Sequence, residues 1–90
     1  MELTKQNERY TFADSLENGW NVNGSVNNEI NGSLTISASI YEGEGLIIGS
    51  FNYYKPSNGN VSVSYDVAET NRDTLTEYIN SAVLYILGQF

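Results

Sequence analysis

The chain has 90 residues, with eleven Asp and Glu, four Lys and Arg, and neither His nor Cys. This length predicts one small domain over residues 1–90, and the formal charge of −7 argues against direct nucleic-acid binding, because phosphate affinity comes from Lys and Arg. Without Cys and His we expect no disulfide, thiol nucleophile, imidazole acid or base, or metal bound by thiolate or imidazole. We also expect no cofactor.

Alternation of apolar and polar side chains predicts most of the chain as β-strand. In chain order, the predicted strands cover about residues 8–13, 20–30, 33–41, 46–54 and 61–68. The strand over 33–41 has the clearest pattern, and the strand over 46–54 is apolar enough to be central and covered on both faces for part of its length. Between the second and third strands, an Asn31-Gly32 pair suits a type I′ hairpin turn.

The last predicted element is a helix over about residues 71–88, whose apolar residues follow helical spacing from Leu75 to Phe90. Thr70 and Asp73 have the spacing of a capping box, so Thr70 is the predicted N-cap. Together the elements predict an α+β fold, with a four- to five-stranded antiparallel meander and one C-terminal amphipathic helix packed on one face.

The unusual feature of the charge is the scarcity of bases rather than the number of acids. No cation occurs between Arg9 and Lys55, although this segment contains five acids: Asp14, Glu17, Glu29, Glu42 and Glu44. The sequence also lacks an apolar run that could act as a signal-peptide core or span a bilayer. We therefore expect a cytoplasmic protein with a surface poor in bases and no membrane partner.

Two groups of acids are candidates for chemistry. Glu42 and Glu44 could form a carboxylate pair for acid–base catalysis or for binding a hard cation. No neighbouring sequence supplies an EF-hand pattern or a further run of ligands, so a flexible hairpin tip kept soluble by its charge is the favoured interpretation. Asp73 and Glu77 lie four residues apart on one helix face, either as an ordinary solvated face or as an acidic edge for a basic partner. That edge would be extended by Asp66 and Glu69.

The aromatic residues are numerous for a chain of this size, with seven Tyr, three Phe and one Trp. We expect four of them in the core: Trp20, Phe51, Tyr65 and Phe90. Another four tyrosines cannot all be buried in so small a domain, namely Tyr41, Tyr53, Tyr54 and Tyr85. Exposed Tyr is enriched at the centres of protein interfaces. The Ser and Thr side chains of the sheet form either a flat docking surface or the solvated face of a two-layer domain.

These observations favour a non-catalytic binding protein that docks on a positively charged protein surface. Its size, charge and lack of catalytic groups are similar to those of the small inhibitors that phages make against host nucleases, anti-CRISPR proteins included. The expected partner is then a nuclease complex that binds nucleic acid. The predicted contact residues are Asp14, Glu17, Glu29, Tyr41, Glu42, Glu44, Tyr53, Tyr54, Asp66, Glu69, Asp73 and Glu77.

The alternative is a structural or self-assembling protein that forms a homodimer through a sheet edge or the helix face. Surplus aromatic surface and the wide apolar stripe of the predicted helix favour this second reading. An enzyme would have to rely on carboxylates, Tyr and Ser that form no marked cluster in the sequence, so we expect no catalytic activity.

Overall fold

A computed structural model describes residues 3–6, 9–16, 18–43 and 45–90. One antiparallel sheet is followed by a short 3-10 turn and a helix. The strands are β1 (Thr4–Gln6), β2 (Arg9–Ser15), β3 (Trp20–Asn28), β4 (Leu34–Glu42), β5 (Leu46–Lys55) and β6 (Ser62–Val67). The 3-10 turn spans Glu69–Asn71 and the helix α1 spans Arg72–Leu87.

The strand order in the sheet is the chain order, β1 to β6, so each strand pairs with the strand before it in the sequence. The predicted α+β class, the antiparallel meander and the C-terminal helix are confirmed. The sheet has one strand more than the four or five predicted, because β1 is only three residues long and too short to give an alternating pattern.

The core lies between α1 and one face of the sheet, here called the helix face. Val22 pairs with Ile40 and Val26 with Ile36, and all four side chains are buried. Because directly paired residues in an antiparallel sheet lie on the same face, this register fixes the side that α1 covers. The helix contributes residues spaced three or four apart, which form a single buried stripe: Leu75, Ile79, Ala82 and Ile86.

The opposite face of the sheet, here called the open face, carries small polar side chains. Ser37 lies between Ser25 on β3 and Asn52 on β5, and its Oγ donates a hydrogen bond to Asn52 Oδ1 at 2.6 Å. The arrangement is typical of an antiparallel sheet with one covered face. Strand β5 was expected to be covered on both faces for part of its length, but its Asn52 and Tyr54 are exposed on the open face.

A β-bulge interrupts the pairing of β4 with β5. Ile40 pairs with Gly49 whereas Tyr41 pairs with Ile47, so Ile48 is the additional residue of β5. Ile48 is buried in the core, and the two residues before it, Leu46 and Ile47, are exposed. The bulge therefore exposes two apolar side chains where β5 begins.

Two expected core aromatics are half exposed. Tyr65 retains 49% of its accessible surface because it lies on the edge strand β6, and Phe90 retains 47%. The Phe90 ring instead packs edge-on against Tyr10, with ring centroids 5.1 Å apart. The predictions for Trp20 and Phe51 are correct, since both are buried.

Two local predictions are also wrong. Thr70 lies within the 3-10 turn, Asn71 is the N-cap without a side-chain hydrogen bond, and Asp73 contacts Arg72 instead of closing a capping box. The turn between β3 and β4 runs from Glu29 to Gly32, whose N–H donates to the Glu29 carbonyl at 3.0 Å. The Asn-Gly pair thus ends this turn and is not the central pair of a type I′ turn.

A candidate protein-binding surface at the acidic end

The meander brings separated acids to one end of the sheet. The β2–β3 connection, the β4–β5 turn and the start of α1 all lie at this end, because alternate turns of a meander meet at the same edge. We call it the acidic end and define it by six described residues: Asp14, Glu42, Asp66, Glu69, Asp73 and Glu77. The acidic end is broad, since Asp14 on β2 and Asp66 on β6 are separated by four strand spacings, or about 19 Å.

The opposite end of the sheet has a different charge balance. Among the residues that the structure describes, it carries the acid Glu29 and the cations Lys5, Arg9 and Lys55. The acidic end carries six carboxylates and, in the same described part of the chain, the single cation Arg72. The domain is therefore electrically polar along the strand direction, which the net charge alone does not reveal.

Arg72 neutralises only part of the acidic end. Its Nη1 lies 3.3 Å from Glu69 Oε1 and its Nε lies 3.5 Å from Asp73 Oδ1. All three side chains are largely exposed, so these ion pairs are weak and are screened by salt. Asp73 and Glu77 line a shallow groove beside Tyr65, and their carboxylates are exposed.

Two other acids of this end have structural contacts. Tyr78 Oη donates a hydrogen bond to Asp14 Oδ2 at 3.1 Å and so ties α1 to β2. Burial, together with the charge and hydrogen bond of Asp14, raises the pKa of Tyr78 far above its ordinary value. Trp20 Nε1 donates to Glu42 Oε2 at 3.2 Å, which positions Glu42 beside its cross-strand partner.

Exposed apolar side chains lie next to these carboxylates. Leu46 is 60% exposed and Ile47 is 57% exposed, and Ile47 pairs with the half-buried Tyr41 on the open face. Ile47 and Asp66 line the same shallow depression of about 260 Å³. An apolar patch with charged residues around it is the usual composition of a protein-binding surface.

Sequence reasoning missed Leu46 and Ile47. In the sequence they belong to an apolar run, Leu46 to Ile48, which is typical of a buried strand. They are exposed because of the bulge at Ile48 and because they are the first two residues of β5. A signal was present for the acids, because the predicted meander already requires alternate turns to lie at one end.

The remaining predicted contact residues are scattered. Glu29 is exposed at the opposite end, and Tyr54 is exposed on the open face near that end. Tyr53 lies on the helix face with only 7% of its surface exposed, so the expectation of a surface role for its ring is wrong. Glu17 and Glu44 lie outside the described residues.

The centre of the open face is a shallow concavity of about 500 Å³. Arg9 is one of the residues that line it. The other polar residues are small: Asn23, Ser25, Ser37, Ser39, Ser50 and Asn52. Within the described ranges, no three carboxylates converge into a group that could hold a metal ion. The concavity therefore offers mainly hydroxyl and amide groups.

Across the described parts of the chain, no helix combines the length and the apolar character needed to cross a membrane. Comparison with protein-family models, with curated proteins and with solved structures finds no match to this chain.

Proposed function

We propose that this protein is a non-catalytic binding module whose acidic end docks on a positively charged protein surface. The observation that supports the proposal is the apolar patch of Tyr41, Leu46 and Ile47 beside exposed carboxylates. Burial of the apolar side chains would supply the affinity, and the carboxylates would supply orientation and a fast association rate.

The most concrete form of this proposal is an inhibitor of a nuclease that binds nucleic acid, comparable to the anti-CRISPR proteins of phages. Such a nuclease holds nucleic acid in a positively charged channel, which an acidic domain can occupy in its place. A cytoplasmic location, expected from the sequence, belongs to the same proposal. The partner would be recognised by charge and by an apolar contact, not by base readout.

The test is a competition assay with purified RNA-guided nuclease complexes. The wild-type protein is expected to bind a susceptible complex at low salt, to displace DNA from it, and to bind more weakly as salt rises. Asp66→Asn combined with Glu77→Gln should weaken binding by about tenfold, because two exposed carboxylates of the acidic end are neutralised.

Two further variants separate the contributions. Glu29→Gln removes one carboxylate at the opposite end and is the matched control, so its affinity should equal that of the wild type. Ile47→Ser should weaken binding without changing the salt dependence, because it removes apolar contact area only. The proposal fails if no basic complex is bound, or if Glu29→Gln weakens binding as much as the acidic-end variant.

A further inference from the structure

Strand β6 has one open edge. It is the last strand of the sheet and pairs only with β5 among the described strands. The Ala68 N–H donates to the Ile48 carbonyl at 2.8 Å. This bond shows which residues of β6 direct their backbone N–H and C=O groups towards β5. Because alternate residues of a strand direct their backbone groups to the same side, Ser62, Ser64 and Asp66 bond towards β5. The peptide groups of Val63 and Tyr65 therefore point to the open edge.

This edge lacks the features that usually protect an edge strand. Residues 62–67 contain no Lys, no Pro and no bulge, and Asp66 is their single charge. Val63 and Tyr65 lie on the helix face, where α1 covers them incompletely, and each retains about half of its accessible surface. An unprotected edge with half-exposed apolar residues is suited to pairing with another strand.

The sequence of β6 is complementary to itself in the antiparallel direction. If a two-fold axis passes through Ser64, Val63 of one copy lies opposite Tyr65 of the other, and Ser62 lies opposite Asp66. The outward peptide groups of Val63 and Tyr65 then form hydrogen-bonded pairs across the axis. Aromatic and β-branched residues are favourable cross-strand partners, and no like charges face each other.

The charge polarity of the domain favours the same arrangement. Antiparallel pairing places the acidic end of each copy beside that end of the other copy which carries Lys55, on the strand next to β6. Parallel pairing would instead bring two acidic ends together, with Asp66 and Glu69 of both copies on the same side. Electrostatics therefore selects the antiparallel orientation.

We propose that two copies of this chain associate through the open edges of β6, antiparallel and in register about Ser64, to form a continuous twelve-stranded sheet. Both helices then lie on the same side of the sheet, and both acidic ends remain accessible at opposite ends of the dimer. This proposal is independent of docking on a basic partner. The interface is a single six-residue strand, smaller than that of most permanent dimers, so association is expected at high micromolar concentration.

The first experiment tests the register by disulfide cross-linking. The chain has no native Cys, so each introduced Cys is the only thiol. In the proposed register, the Cα atoms of Ser64 in the two copies are about 4.5 Å apart, which is within the range of a disulfide. The two copies of Ser62 are separated by four residues along the strand, or about 13 Å. Under mild oxidation, Ser64→Cys should form a covalent dimer at least about tenfold faster than Ser62→Cys.

The second experiment tests the edge itself by sedimentation equilibrium. Wild-type protein should show twice the monomer mass at high micromolar concentration. Val63→Lys should weaken association by about tenfold or more, since a charged side chain on an edge strand discourages pairing with another strand. Val63→Pro should have the same effect while keeping the pairing with β5, because the Val63 N–H points outwards. Circular dichroism of each variant checks that the fold is retained.

Leu84→Lys is the matched control, because Leu84 is an apolar residue of α1 with 71% of its surface exposed. It should leave association unchanged. Dissociation by Leu84→Lys but not by Val63→Lys would assign the contact to the exposed side of α1 and overturn the proposal. A monomer at all concentrations, or cross-linking of Ser62→Cys as fast as Ser64→Cys, would overturn it as well.

Discussion

Gly24 on β3 lies so close to its neighbours that a Cβ has no room there, which gives a sharp prediction for Gly24→Ala. A Cβ at this position would lie 2.7 Å from Ala38 Cβ, 2.7 Å from the Ser37 carbonyl oxygen, and in conflict with Phe12 Cζ. Two of these three groups belong to the paired strand β4, so they cannot move without shifting the sheet. The ring of Phe12 can move, but only within the packed core.

Overpacking of this kind costs about 1–3 kcal/mol, and the rigid neighbours place Gly24→Ala at the upper end of the range. The loss of glycine's freedom in the unfolded chain offsets about 0.5–1 kcal/mol, which leaves a net cost of about 2 kcal/mol. For a domain of this size, that cost lowers the melting temperature by roughly 8–16 °C. It is also a large part of the total stability, about 5–13 kcal/mol for 90 residues.

Urea unfolding followed by the fluorescence of Trp20, the single tryptophan, measures the cost directly. Gly49→Ala is the matched control, because a Cβ there meets its nearest neighbours at an ordinary 3.6 Å. Its free energy of unfolding should lie within about 1 kcal/mol of the wild type. Equal values for Gly24→Ala and the wild type, or equal costs for the two glycine variants, would refute the packing argument.

Three further predictions concern the helix. Tyr78→Phe should cost about 1–2 kcal/mol at pH 7, because Asp14 loses its donor. The pKa of Tyr78 is raised in the folded protein, so above about pH 10 the unfolded chain loses this proton while the folded protein keeps it, and wild-type stability falls. Urea unfolding from about pH 7 to 11 should show a shallower fall in stability for Tyr78→Phe, and an equal fall would contradict the pKa argument. Arg72→Gln should change stability by less than about 1 kcal/mol, because its ion pairs are exposed. It should also speed association with a basic partner in stopped-flow measurements, because it removes a positive charge from the acidic end. A slower association would count against the acidic end as the docking site. Ile86→Ala should cost about 2–5 kcal/mol in thermal unfolding while Leu84→Ala stays within about 0.5 kcal/mol, and similar costs would mean that α1 packs through a different face.

The sheet was predictable where alternation has a single interpretation. In β4, Leu34, Ile36 and Ile40 alternate with small polar residues, and the structure buries all three. Tyr65 belongs to an equally regular alternation in β6, yet it is half exposed. Alternation identifies the face on which a side chain lies, but coverage of that face by the helix depends on the path of α1, which no local pattern encodes.

The candidate site was predictable in its residue types but not in its assembly. The sequence shows Asp14, Glu42 and Asp66 far apart, and the return of alternate strands brings them to one end. The exposure of Leu46 and Ile47 could not be predicted, because it depends on the bulge at Ile48, which changes the register after Ile47. Bulges arise from the pairing of two strands, so the sequence of one strand does not indicate them.

The sequential strand order also has a consequence for folding kinetics. Every strand pairing joins neighbours in the chain, so each hairpin can form after closure of a short loop. The contact from Tyr78 to Asp14 spans 64 residues, and the contact from Phe90 to Tyr10 also returns the helix to β2. Docking of α1 is therefore the step with the largest loop-closure entropy. We expect the hairpins to be structured early in the transition state and the helix contacts with β2 to form late.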